Sequence, residues 1–172
     1  MKNITNTLGE NTADISNQKK YSDRVSAILK EKELRLGRRL KAFIQTFGCQ
    51  QNEADSERLM GTALSMGYEK ADSLEDADLI IYNTCAVREH AELKALSKTG
   101  QLKHLKSKNP ELLVGLWGCM VNQEHRVDDI KKKYPYVDFV AGTNMLHRLP
   151  EILCDVMVHD RRRYYVDDAD YS

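Results

Sequence analysis

At 172 residues the chain has the length of one ordinary domain with room for a tail. Hydrophobic residues make up 41% and charged residues 30%, which fits a soluble globular protein and excludes a membrane-spanning or fully disordered one. Lys+Arg and Asp+Glu number 26 each, so the net charge is zero. That balance excludes nucleic-acid binding by bulk electrostatics, and any RNA partner must be held by a local patch or by another part of the molecule. No run of about 18 apolar residues spans a bilayer. The opening Met1-Lys2-Asn3-Ile4-Thr5-Asn6 lacks an apolar signal core. The expected setting is cytoplasmic, with no membrane partner, and the expected form a monomer.

Residues 1–22 are polar, with Ile4, Leu8, Ile15 and Tyr21 as the only sizeable apolar groups, and read as a flexible N-terminal tail. Residues 23–39 carry Val25, Ile28, Leu29 and Leu36 among many charges and read as a lead-in helix. It either packs on the domain edge or stays solvated. The folded unit is expected over 40–159. Lys41–Phe47 (KAFIQTF) reads as a strand broken at Gly48, and Asp55–Met66 as a helix capped by Gly67. Tyr68–Ala71 is a short strand, and Leu79–Tyr82 (LIIY) is an apolar run typical of a strand buried on both faces. A helix over Val87–Lys106 stops at Asn109-Pro110. Leu112–Trp117 (LLVGLW) is the next strand, Gln123–Tyr134 a helix, Phe139–Ala141 a last strand and Leu146–Val158 a last helix. Residues 160–172, with Arg161-Arg162-Arg163-Tyr164-Tyr165, read as the start of a linker or as a small basic contact for RNA.

Strands alternating with helices predict an α/β fold, a flavodoxin-like open parallel sheet of about five strands in the order 2-1-3-4-5, with helices on both faces. The four cysteines are Cys49, Cys85, Cys119 and Cys154. None is spaced as CxxC, and a reducing compartment favours metal or catalytic duty over disulfides. Cys49, Cys85 and Cys119 each follow a strand and precede a helix, which places all three at the carboxyl edge of neighbouring strands one, three and four. Adjacent strands lie about 4.8 Å apart, so the three turns fall within roughly 10 Å of one another. Helix N-termini favour the thiolate, and Gly48 and Gly118 directly before two of the cysteines leave room for a bulky cofactor. Gln50, Asn52, Asn83 and Asn122 supply amides that can donate hydrogen bonds to sulfide or thiolate. Ordinary buried cysteines at strand ends are the bland alternative for any one of these positions. Spacing alone does not choose between an iron–sulfur cluster with one open iron and a zinc site completed by His90 or His125. Cys154 points away from the apolar stripe of the last helix and reads as a bystander.

Three segments carry a family likeness. Thr46-Phe47-Gly48-Cys49-Gln50-Gln51-Asn52-Glu53-Ala54-Asp55-Ser56-Glu57, then Asn83-Thr84-Cys85-Ala86-Val87-Arg88-Glu89-His90-Ala91, then Gly118-Cys119-Met120 resemble the N-terminal domain of the radical S-adenosylmethionine methylthiotransferases. The tRNA-modifying MiaB branch is the better match, because the ribosomal-protein branch typically carries Gly-Cys-Pro-Lys-Asn at the first site and lacks Arg-Glu after the second cysteine. Asn122 departs slightly, since relatives often carry Gln there. The resemblance implies an auxiliary [4Fe–4S] cluster on Cys49, Cys85 and Cys119, with the iron not bound by protein taking the sulfur that becomes the methylthio group. It further implies S-adenosylmethionine and a second [4Fe–4S] cluster on a separate radical domain, a C-terminal RNA-binding domain, and tRNA as partner. The substrate implied is N6-dimethylallyladenosine beside the anticodon, modified at C2. Arg88 and Glu89 brace the loop or face the substrate or the neighbouring domain. The radical domain's CxxxCxxC is missing here, so the chain by itself is expected to be inactive. Competing readings are a methylthiotransferase acting on threonylcarbamoyl-adenosine tRNA or a ribosomal protein, and a non-catalytic metal-binding or docking module.

Overall fold

The structure, a computed structural model, describes residues 4–48, 50–84, 101–118, 132–159 and 163–165. In chain order these form α1 (Ile4–Leu36), β1 (Lys41–Phe47), α2 (Gln50–Met66), β2 (Glu69–Lys70) and β3 (Leu79–Thr84). There follow a helical segment α3 (101–108), β4 (Leu113–Gly118), β5 (Phe139–Ala141), α4 (Leu149–His159) and β6 (Arg163–Tyr165). The strands make one parallel sheet in the order β2-β1-β3-β4-β5-β6. The five expected strands stand in the expected order. β6 adds a sixth at the edge, within the stretch whose sequence reads as a linker.

The two faces of the sheet are covered differently. One face carries α1, α2 and α4, through Val25 and Leu29, Leu59, Ala63 and Met66, and Leu149, Ile152, Leu153 and Val156. Opposite, Ile80, Tyr82, Val114, Leu116 and Val140 pack with Leu102 of α3. β3 is buried along its whole length, as a central parallel strand between two helical layers requires. Gly115 has a packing reason on the first face. A Cβ there would stand 2.1 Å from the Phe139 ring, which occupies the space and meets Trp117 edge-on at 6.4 Å.

Several boundaries differ from the sequence expectation, each for a local reason. α1 runs helically from Ile4, so the expected flexible tail over 1–22 is not observed among residues 4–22, and the lead-in helix over 23–39 packs on the core instead of staying solvated. Val25 and Leu29 are fully covered, Tyr21 packs against the same cluster, and the Gln18 side chain donates to Glu151 at 3.2 Å. α2 begins at Gln50, five residues before the expected start at Asp55, because the buried Asn52 and Ser56 continue the face of Leu59, Ala63 and Met66 at helical spacing. β3 extends through Asn83 and Thr84, whose polar side chains find partners inside the fold. The last helix starts at Leu149, after a tighter 3₁₀ stretch over Thr143–Arg148. Pro150 in its first turn lacks an N–H that the helix would not use. The helices expected over Val87–Lys106 and Gln123–Tyr134 lie largely outside the described residues.

Two aspartates close the amino edge of the sheet by the same device. Asp78, just before β3, donates its N–H to the Lys41 carbonyl at 2.7 Å, while its carboxylate accepts the Lys41 N–H at 3.0 Å. Asp138, just before β5, does the same with Val114, at 2.7 and 2.9 Å. Each carboxylate is then neutralised from the side. Arg38 donates two bonds of 2.8 Å to Asp78, which also raises the pKa of the guanidinium, and Lys106 pairs with Asp138. Each aspartate thus sets the starting level of two neighbouring strands.

Replacing Gly115 by alanine forces a methyl group into the Phe139 ring and is expected to cost about 1–3 kcal/mol, read as a lower urea midpoint. A second outcome concerns pH. Arg148 donates two hydrogen bonds to Glu151 and holds its carboxyl below the usual range, with Gln18 adding to the effect and burial opposing it. A depressed folded-state pKa gives stability that is present above the unfolded carboxylate pKa and lost as pH falls through the folded value. Glu151→Gln is therefore expected to cost about 1 kcal/mol at pH 7 and to flatten the fall in thermal midpoint below about pH 5.

Candidate functional site

The carboxyl edge of the sheet is organised by one lateral row. Phe47, the last residue of β1, lies opposite Thr84, the last of β3, and Thr84 lies opposite Gly118, the last of β4. Three adjacent parallel strands therefore end at one level. The next residues along the chain are Gly48 and Cys49 after β1, Cys85 after β3 and Cys119 after β4. Cys49, Cys85 and Cys119 themselves lie outside the described residues, as do Arg88, Glu89, His90, Asn122 and His125.

Gly118 is required by this row. Its φ is +121°, a conformation L side chains rarely adopt, and a Cβ on it would lie 2.1 Å from the Thr84 carbonyl oxygen and 2.9 Å from the Thr84 nitrogen. The space its missing side chain leaves is thus taken by the neighbouring strand's backbone, a reason different from the cofactor clearance expected from sequence. Gly48 shares the positive-φ character, at 150°, immediately before Cys49.

Behind the row a buried polar network ties α2 to the strand ends. Asn52 Nδ2 donates to the Thr84 carbonyl at 3.0 Å, and Asn83 Nδ2 donates to the Asn52 carbonyl at 2.8 Å and to Ser56 Oγ at 3.0 Å. Thr46 Oγ1 donates to Ser56 Oγ at 2.7 Å, and Thr84 Oγ1 to the Trp117 carbonyl at 3.1 Å. Asn52, Ser56, Asn83 and Thr84 are all buried. The amides of Asn52 and Asn83, expected to donate to sulfide or thiolate, donate within the fold to the Thr84 and Asn52 carbonyls and to the Ser56 hydroxyl. They fix the last turn of β3 against the first turns of α2. Gln50 is the first residue of α2. On the opposite face Phe47 meets Tyr82 edge-on at 5.0 Å, and burial pushes the Tyr82 hydroxyl up to about 12.

The sequence points to Asn52, Asn83 and Thr84 as polar groups around the cysteines, and does not single out Thr46 or Ser56. The available signal was the Asn52–Ser56 spacing of four, which puts two polar groups on one helix face, and the polar ends of two otherwise apolar strands. Among the described residues no group of three His, Cys, Asp or Glu side chains is placed to hold a metal ion, and no helix is long and apolar enough to cross a membrane. Cys154 departs from expectation in its setting. It is buried at 3% exposure in the core cluster, because α1 covers the side of α4 that its apolar stripe leaves open. Burial pushes its thiol pKa up, so it stays protonated and unreactive. Asn83→Ala removes one of the two donors to the Ser56 hydroxyl and the side-chain donor to the Asn52 carbonyl, and leaves a gap where the buried amide was. It is expected to lower stability by about 2–3 kcal/mol in urea unfolding, against less than about 1 kcal/mol for an exposed control such as Ser65→Ala.

Residues 41–142, spanning β1 to the residue after β5, match the family described as uncharacterized protein family UPF0004. The chain is 46% identical over 156 residues to a protein of Clostridioides difficile (strain 630) named tRNA-2-methylthio-N(6)-dimethylallyladenosine synthase, covering 91% of this chain and 33% of that protein. Proteins of the same name in Acetivibrio thermocellus and Clostridium botulinum (strain Hall) are 42% identical over 144 residues and 50% identical over 130 residues. They cover 84% and 76% of this chain and 30% and 29% of those proteins. The chain thus spans about a third of the length of these relatives. The family match begins with β1 and closes just past β5, taking in the aspartate-set strand starts, the polar network and all three strand ends of the row: the chain belongs to the UPF0004 family.

Proposed function

We propose that this chain is the iron–sulfur-carrying portion of a tRNA methylthiotransferase, with Cys49, Cys85 and Cys119 as the ligands of a [4Fe–4S] cluster. The observation that carries the reading is the Phe47–Thr84–Gly118 row. The three strand ends lie within roughly 10 Å of each other, the span over which ligands can share one inorganic core, and the three cysteines follow them in sequence by one or two residues. The donor set fits the group, since three soft thiolates suit iron and leave one metal position free of protein. When bound, such a cluster supplies an open iron on which sulfur can be held for transfer.

The chain's own residues act on the positions of those ligands. Asn52, bonded to the Thr84 carbonyl, holds the peptide that leads into Cys85. Gly118 lets that same peptide lie against the one that leads into Cys119. Thr46 and Asn83 share the Ser56 hydroxyl and so lock the ends of β1 and β3 to one helix. Gln50, Arg88 and Asn122 follow the three cysteines closely in sequence and are assigned to the surroundings of the cluster. The substrate read from the relatives' names is N6-dimethylallyladenosine in tRNA, acted on in the cytoplasm by an enzyme that also uses S-adenosylmethionine and a second cluster. This chain, without CxxxCxxC, is inactive by itself.

Anaerobic reconstitution with ferrous iron and sulfide is expected to give about four irons and four labile sulfides per chain. Cys49→Ala, Cys85→Ala and Cys119→Ala are each expected to lose most of that iron, and Cys154→Ala to keep it. Zinc without labile sulfide, or equal loss on removing Cys154, overturns the assignment. For the substrate, mass analysis of tRNA nucleosides from a strain lacking the gene should show the methylthio group missing from dimethylallyladenosine and present on threonylcarbamoyl-adenosine.

A further inference from the structure

β1 has seven residues, but β2 covers only its start. β2 pairs with Lys41 and Ala42, and the bond from the Ala71 N–H to the Ala42 carbonyl, 2.8 Å, is the last one on that side. Backbone groups alternate sides along a strand, so with Ala42 turned toward β2, Ile44 and Thr46 turn their N–H and C=O groups the same way. No residue among those described meets them. This open stretch carries none of the features that usually blunt a sheet edge: it has no proline, no lysine and no bulge.

The edge borders a groove of about 430 Å³ between β1 and α2, with Met60 and Leu64 as its apolar wall and Leu64 46% exposed. Glu53 and Glu57, both exposed and one turn apart on α2, line it with two carboxylates against the single ammonium of Lys70. Free main-chain donors and acceptors, an apolar wall and an excess of negative charge together describe the occupant.

We propose that the Ile44–Thr46 edge of β1 is a strand-addition site for an extended polypeptide whose every second side chain, the set turned toward α2, includes both apolar and basic residues. Its backbone pairs with Ile44 and Thr46, its apolar side chains lie on Met60 and Leu64, and its basic side chains face Glu53 and Glu57. The site faces the edge of β1 on the β2 side, away from β3 and β4, and its occupation does not depend on bound iron.

The test is amide hydrogen exchange by NMR on the 172-residue chain without reconstitution. In the free chain the Ile44 and Thr46 amides are expected to exchange at least about tenfold faster than those of Phe43 and Gln45, which face β3. A nonapeptide with valine and lysine taking turns at every second position and serine between them should then slow Ile44 and Thr46 at least about tenfold at saturation. The same peptide N-methylated at its valines should not. The exposed double variant Glu53→Lys/Glu57→Lys should weaken the lysine peptide about tenfold and favour the peptide with glutamate in place of each lysine. Full protection of Ile44 and Thr46 in the free chain overturns the proposal. So does absence of added protection at millimolar peptide, or equal binding of all three peptides.

Discussion

The structure depends on a constraint of level: three adjacent parallel strands start and stop together. In a parallel sheet nothing in the ladder itself forces neighbouring strands to end in one row, since each pair is free to slip along its axis. Here the starts are set by Asp78, which clasps both backbone groups of Lys41 in β1 and accepts the Leu113 N–H of β4 on its own carbonyl at 3.0 Å, while Asp138 clasps Val114 of β4 from the β5 side. The ends are set by Asn52 and by the contact of Gly118 with the Thr84 peptide. With both ends fixed, the loops beyond the carboxyl edge leave from one line. Whatever their tips hold must be met along that line.

The two edges divide the work by chemistry. At the amino edge, charges are paired and strand starts are held by ionic hydrogen bonds, which persist where water has access. The carboxyl edge uses neutral amides and hydroxyls, which can be buried without the desolvation cost of charge. A neutral network behind the row leaves the electrostatics of the space above it to the loops and to what they bind. This arrangement suits a domain whose relatives are named for a modification of tRNA while the chain itself carries no net charge.

Much of the fold was legible because its strands are short, apolar and separated by breakers. Lys41–Phe47 and Phe139–Ala141 stand within the bounds their composition predicts, and the LIIY run marks the most buried strand. The order of strands followed from the alternation of elements. What sequence could not reveal depends on lateral register. Thr46 and Asn83 are 37 positions apart by their numbers and meet only because β1 and β3 pair in one alignment and both reach Ser56. Asp78 and Asp138 look like ordinary polar residues before strands. Residues 15–22 look too polar to order by themselves. Their helix is held by a partner, α4, that no local window contains.

That partnership has a consequence for how the protein is made. α1 leaves the ribosome before α4, on which it chiefly packs, and the Gln18–Glu151 contact spans 133 residues. At about 5–20 residues per second, translation separates the two sides of that contact by roughly 7–27 s. During this interval Val25 and Leu29 lack the apolar surface of α4 that later covers them. The nascent chain must carry an uncovered apolar helix face throughout that interval, which makes it a natural client for a chaperone that shields such segments co-translationally.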